Sequence, residues 1–236
     1  MNVAMIGAHQ DDEMFCLGTL LLCKQRGDKL TLITTTNGDK GMSDDPSIPY
    51  AEAAAIRDRE MRSVADAMNA DYTCLGEPDE ALFDTWDNRL KLIEALRKHR
   101  VEMVFTHFTA DYNVDHTTTS QMVYQTTMLS PIASIQTDSP PLPKAPTIFY
   151  MDPGPGYGFE ATHFVEIPAT VKDRMMELLS MHESQMAVAR RSSGKDYRDD
   201  VLAKLKANGQ RVGVEFAEAF RPCLASWRTP LTRFLP

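Results

Sequence analysis

A chain of 236 residues, 43% of them apolar, can bury the core of one α/β domain without disulfides or a structural metal. The net charge of −8 argues against a general nucleic-acid binder and against attraction to anionic membrane surfaces, yet leaves room for an anionic substrate held by a few arginines. No apolar run is long enough to span a membrane, the first residues read as strand rather than signal peptide, and Cys16, Cys23, Cys74 and Cys223 form no C-x-x-C pair, so free thiols in a cytoplasmic protein are expected.

In chain order, residues 2–7 read as a buried strand ending at Ala8-His9-Gln10-Asp11-Asp12-Glu13. A helix is predicted from about Glu13 to Arg26, closed by Gly27. A second strand over Leu30–Thr35 completes a β-α-β unit with parallel strands and a right-handed crossover. Residues 36–41 form a turn-rich loop on the same rim as His9. A long helix over Tyr50–Asn69 carries an apolar stripe of Ala53, Ala54, Ile56, Met61, Val64, Ala65 and Met68; Arg57, Arg59, Glu60 and Arg62 occupy its polar face, from which one side chain can turn to the rim. A short strand over Asp71–Leu75, a helix over Trp86–His99 and a strand over Val101–His107 follow. The strand meets a second polar cluster, Asp111-Tyr112-Asn113-Val114-Asp115-His116, ahead of a helix over Thr117–Leu129.

Residues 131–146, rich in Pro and Ser, read as a long loop. Strands are predicted over Thr147–Tyr150 and His163–Ile167. Between them, residues 151–158 resemble a phosphate loop only weakly, because their prolines remove backbone donors. One continuous helix over Thr170–Ala189 carries methionine core filler and a mid-helix His182. A polar loop to Asp200, a short helix over Val201–Asn208 and a tail mixing aromatic and acidic residues end the reading. No linker divides the chain, so residues 1–236 are expected to form one domain.

Three consecutive carboxylates at a strand end repel one another unless something offsets their charge. A divalent cation would do so, with His9 and Asp12 aimed at one point and Asp11 left to act on a bound water. An acidic first helical turn, favoured by the helix dipole, explains the same residues. The second cluster occupies the equivalent place after another strand, which favours His116 as a third ligand, with Asp115 suited to orienting a ligating imidazole.

The chain resembles the PIG-L/LmbE family of metal-dependent N-deacetylases. The family's Ala-His-Pro-Asp-Asp-Glu is here Ala8 to Glu13 with Gln10 for Pro, and its Asp-x-His-x-Asp-His is Asp111 to His116 with Asn113 for His. Likeness extends through Thr36-Asn37-Gly38-Asp39, Arg57-x-x-Glu60, His182-x-Ser184-Gln185 and Glu218-Ala219-Phe220. The resemblance implies a Rossmann-like three-layer α/β/α sandwich with a mostly parallel sheet. It implies zinc, or another divalent ion, on His9, Asp12 and His116, with a water completing a catalytic site. Asp11 is then the general base, Arg57 a substrate contact, and the substrate a small N-acetylated amino sugar or conjugate; a homo-oligomer is compatible with this. Asn113 can donate a hydrogen bond to an oxyanion but cannot titrate. Asp11 would then carry all the proton transfer, or His107 or His182 would reach in. The alternative is a metal- or sugar-binding relative with weak or lost catalysis. A dinucleotide site is disfavoured, since the first turn lacks G-x-G-x-x-G and its carboxylates would repel a pyrophosphate.

Overall fold

The computed structural model describes residues 1–228. Within them, strands β1 (Asn2–Gly7), β2 (Lys29–Thr36), β3 (Asp71–Glu77), β4 (Met103–Thr106), β5 (Thr147–Met151), β6 (His163–Glu166) and β7 (Ala217–Pro222) form one sheet, ordered β3-β2-β1-β4-β5-β7-β6. β1 to β5 pair in parallel, and β7 runs antiparallel between β5 and β6. The helices are α1 (Leu17–Gln25), α2 (Tyr50–Met68), α3 (Trp86–Lys98), α4 (Val114–Leu129), α5 (Ala169–Leu179), α6 (Glu183–Ser193) and α7 (Tyr197–Val212).

Alternation along the central strands builds two cores, because successive side chains leave opposite faces of a sheet. Val3 and Met5 pack with Leu17 and Leu20 of α1, Met61 and Val64 of α2, and Met175 and Leu178 of α5. Ala4 and Ile6 pack on the other face with Leu92 and Leu96 of α3 and Met122 and Val123 of α4. The result is the expected three-layer α/β/α sandwich with a mostly parallel sheet. Strand order reverses between β1 and β4. Both polar clusters leave the sheet at that reversal, where open α/β sheets form their ligand crevice. No helix among the described residues is long and apolar enough to cross a membrane.

The structure corrects three expected elements. The first helix does not begin at Glu13: residues Asp12–Phe15 form a single 3-10 turn, and α1 starts at Leu17. The predicted helix over 170–189 is two helices, α5 and α6, broken at residues 180–182. Buried Val171, Met175, Leu178, Leu179, His182 and Met186 keep a helical rhythm across the break, so periodicity alone conceals it. The polar stretch 190–200 is mostly helical. α6 runs to Ser193 and ends at a left-handed Gly194, and α7 starts at Tyr197 behind Asp196, whose side chain accepts the Arg198 N–H.

The acidic, aromatic tail is β7, and its Glu218 explains why α1 needs no local cap. Cys16 precedes α1 without a capping side chain. Instead Glu218 Oε1 and Oε2 accept the Gly18 and Thr19 N–H groups, each at 2.7 Å. Glycine at position 18 suits this packing, since a Cβ there would sit 2.7 Å from Ile167 Cδ1 and 2.8 Å from Met175 Sδ and would require those buried side chains to shift. Glu218→Ala leaves two buried donors unpaired and is expected to destabilise the fold by about 2–4 kcal/mol, read as a lowered urea midpoint.

Candidate metal centre

The loop after β1 is tightly packed. A Cβ on Gly7 would lie 2.6 Å from Asp12 Cβ, so the missing side chain is what lets Asp12 fold back over the strand end. Asp12 Oδ2 accepts the His9 N–H at 2.7 Å and lies 3.0 Å from His107 Nε2. Asp11 adopts φ 144°, a conformation unusual for a residue with a side chain. This twist sends adjacent carboxylates apart: Asp12 inward to the sheet, Asp11 toward the pocket.

Three groups converge above the rim. His9 Nδ1 and His116 Nε2 are 3.3 Å apart, with Asp12 Oδ1 3.4 Å from His116 Nε2 and Asp12 Oδ2 3.8 Å from His9 Nδ1. Ligand atoms roughly 2.0–2.1 Å from a tetrahedral ion lie roughly 3.3–3.4 Å apart; the His9–His116 and Asp12 Oδ1–His116 spacings match this, and the 3.8 Å from His9 to the other Asp12 oxygen is longer. Each imidazole is backed by a carboxylate on its far side. His116 Nδ1 lies 3.0 Å from Asp111 Oδ1, and His9 Nε2 lies 3.3 Å from Asp115 Oδ2. That arrangement turns the other ring nitrogen of each histidine toward the shared centre.

Two further donor groups share these histidines, His107/Asp111/His116 and His9/Asp79/Asp115. Their carboxylates already serve the backbone. Asp111 accepts the Asn113 N–H, Asp115 accepts the Glu80 and Leu82 N–H groups, and Asp79 accepts those of Gly38 and Lys40. Asp12 likewise accepts the His9 N–H; what sets the His9/Asp12/His116 group apart is that each of its histidines is backed by a carboxylate outside the group.

The three acidic neighbours have three separate partners. Asp11 Oδ1 accepts from Arg57 Nη2 at 2.9 Å, and the same guanidinium reaches the Gln10 carbonyl. Burial raises the Asp11 carboxyl above its ordinary range against the opposing charge of Arg57. Burial also works to raise Asp12, but His116 and His107 outweigh it and hold that carboxyl well below the usual range. Glu13 is wholly buried and pairs with His182 Nε2 at 2.6 Å. The break between α5 and α6 delivers His182 to this place, so it is neither mid-helix nor directed at the converging ligands.

A pocket of about 440 Å³ is lined by His9, Asp11, Asp12, Arg57, Asn113 and His116. It thus gathers six of the seven residues singled out in the sequence, and Asp115 stands behind His9. Arg57 is buried and committed to Asp11 and Gln10 as well as lining the pocket. Asn113 is the N-cap of α4. Its Oδ1 accepts the Asp115 and His116 N–H groups at 2.7 and 3.3 Å, and its Nδ2 donates to Glu80 Oε1 at 3.1 Å. His107 stacks on His116 with centroids 3.8 Å apart.

Sequence reasoning gave no role to Asp111, Glu13 or Glu218. Asp111 had a usable signal, since it opens the same six-residue cluster as His116. The pairing of Glu13 with His182 spans 169 residues and leaves no local pattern.

Burial pushes the His116 imidazole down, but the charges of Asp12 and Asp111 and the hydrogen bonds to both prevail and raise it to about 10. Below that pH the ion-free ring carries a proton that a metal must displace. Zinc binding at pH 7 is expected to release protons, and its affinity to rise by about tenfold per pH unit for each proton released. Calorimetry in buffers of different ionisation enthalpy measures both.

A family profile described as PIG-L, GlcNAc-PI de-N-acetylase, matches residues 4–127. Among solved structures, the N,N'-diacetylchitobiose deacetylase of Pyrococcus horikoshii is 21% identical, with TM-score 0.81 over 94% of this chain and 83% of that one. The conserved protein TT1542 of Thermus thermophilus is 24% identical, with TM-score 0.80 over 100% of this chain and 99% of that one. GalB, the 4-carboxy-2-hydroxymuconate hydratase of Pseudomonas putida KT2440, is 16% identical, with TM-score 0.75 over the whole of both chains. The fold therefore also carries an activity other than deacetylation.

Proposed function

Because the chain belongs to the PIG-L family, we propose that it is a zinc-dependent hydrolase that removes an N-acetyl group from an N-acetylglucosamine-type sugar or conjugate. The observation that carries this reading is the convergence of His9 Nδ1, Asp12 and His116 Nε2 beside Asp11 in one pocket. Divalent zinc bound there supplies Lewis acidity toward the amide carbonyl and lowers the pKa of a water.

The protein's own groups account for the proton movements. Asp11 takes the proton of the attacking water on the carboxylate oxygen that Arg57 leaves free, then returns it to the departing nitrogen as the C–N bond breaks. The products are acetic acid and a free amine, and transfer of the acid's proton to the amine leaves acetate and an ammonium group. Arg57 fixes the Asp11 carboxylate through Oδ1 and closes the inner wall of the pocket. Asp111 and Asp115 hold the two imidazoles in the tautomers that face the centre. In this reading the substrate is a small N-acetylated sugar or conjugate, and the enzyme works in the cytoplasm.

Acetate release from N-acetylglucosamine and its glycosides, with zinc added, tests the reading. Asp11→Asn is expected to lower kcat by about 10²–10⁴-fold while zinc content stays at the wild-type value. His116→Ala is expected to lose the zinc itself, measured by elemental analysis. No turnover of any N-acetylated sugar, or full turnover by Asp11→Asn, would overturn it.

One observation favours the second reading, a metal- or sugar-binding protein with weak catalysis. Asn113 has its carbonyl committed to the α4 cap and one of its two amide hydrogens given to Glu80, and it supplies no titrating group. Asn113→His separates the two. A gain in kcat of about 10²-fold supports weak catalysis in the natural chain, and an unchanged rate supports normal turnover with Asn113.

A further inference from the structure

His107 is buried beside the converging ligands, and the reaction just described gives it no task. Its place follows from the sheet register. Thr106 ends β4 opposite Ile6, and its hydroxyl donates to the Ile6 carbonyl at 2.8 Å. The next residue therefore emerges beside Gly7 and Ala8 and meets the loop that carries Asp12. The His107 ring lies flat on that of His116, with 12° between their planes, and Phe15 meets both rings edge-on at centroid distances of 6.2 and 6.4 Å.

Two groups compete for one nitrogen of this ring. His107 Nε2 lies 3.0 Å from the Ala8 backbone nitrogen and 3.0 Å from Asp12 Oδ2. A ring nitrogen carries either a hydrogen or a free lone pair, so Nε2 donates to Asp12 or accepts from Ala8, not both. A hydrogen bond from an N–H to a carboxylate is charge-assisted and roughly twice as strong as one between neutral groups. Asp12 also belongs to a run of carboxylates whose charge needs offsetting. The bond to Asp12 wins, and the hydrogen sits on Nε2.

The two oxygens of Asp12 then have different work. Oδ2 is enclosed by protein: it receives the His9 N–H at 2.7 Å, faces His107 Nε2, and packs on Gly7, where a Cβ would come within 3.0 Å of it. Oδ1 faces His116 Nε2 at 3.4 Å, on the side where the candidate ligands converge.

We propose that His107 is a positioning residue for the metal ion: its Nε2–H reserves Asp12 Oδ2 for the protein, so that Asp12 offers the ion Oδ1 alone, and its stacked ring holds the plane of His116. A carboxylate bound through both oxygens would fill one more place around the ion. Holding Asp12 to one oxygen keeps that place open, which is what separates a catalytic centre from a closed structural one. This rests on the metal-centre reading above and adds to it a residue that is not itself a ligand.

Three measurements on the full chain test it. In zinc-loaded protein with isotopically labelled histidine, the ring nitrogen spectrum is expected to show a hydrogen on His107 Nε2. A bare Nε2 overturns the proposal without any substitution having to fold. Zinc affinity, from competition with a coloured chelator, is expected to fall about 10–100-fold in His107→Phe, which keeps a flat ring against His116 but has no donor. His107→Gln puts an amide N–H near the place of Nε2 and is expected to recover most of that loss.

Cobalt in place of zinc reports the coordination number. Wild type and His107→Gln are expected to give the intense visible bands of a four-coordinate ion, and His107→Phe the weaker bands that follow when the second Asp12 oxygen joins. Equal zinc affinity and equal cobalt spectra for wild type and His107→Phe, or a His107→Gln that binds no tighter than His107→Phe, overturn the role of His107 and leave the metal centre standing. A wild-type chain that takes up no divalent ion overturns the metal-centre reading, and this inference with it.

Discussion

The fold is arranged around one electrostatic constraint, three consecutive carboxylates at the end of β1. Side by side in a buried loop, Asp11, Asp12 and Glu13 could not all remain charged without compensation. The protein gives each a different cationic or potentially cationic partner from a different element. Arg57 comes from α2, His107 and His116 from the end of β4 and the start of α4, and His182 from the gap between α5 and α6. The strained backbone at Asp11 and the 3-10 turn after it are what allow three neighbours to point in three directions. The site is thus the meeting point of one loop's charges with the rest of the sheet rim.

Carboxylates elsewhere in the molecule do related work on the backbone. Glu218 caps α1, and Glu60 receives the Ser184 N–H and hydroxyl at the start of α6. Asp79 and Asp115 tie down the two loops flanking His9. A share of the net negative charge is therefore structural, spent on N–H groups that helices and turns leave unpaired. That is why an acidic composition here signals neither disorder nor a purely solvated surface.

These two patterns explain what could and could not be seen in the sequence. That His9, Asp12 and His116 come together was legible because the first two follow β1 and the third opens α4 after β4, two segments that leave neighbouring strands on one rim. The sandwich was legible from the alternation of apolar strands with helical stripes. Partners drawn from distant elements were not. Asp115 stands beside His116 in sequence but backs His9, and Asp111, five residues earlier, backs His116. Arg57 looked like one polar residue among several on a helix face, yet it is buried against Asp11. His182 kept the phase of the apolar stripe, so its break from the helix left no trace. Glu218 has its partners 200 and 199 residues away, a span on which local patterns are silent.

The position of β7 has a consequence for the order in which the molecule can be made. A ribosome delivers residues 217–222 only after every other described strand and helix, yet this strand joins β5 to β6 and supplies the cap for α1. Until it emerges, β6 has no partner in the sheet and the first helix starts on bare N–H groups. The nascent chain therefore carries an open sheet edge at β5 until β7 is made, the kind of surface that invites mispairing and chaperone engagement. Insertion of β7 between β5 and β6 is a closing step, so the α1 N-terminus acquires its cap only after every other described strand has been made.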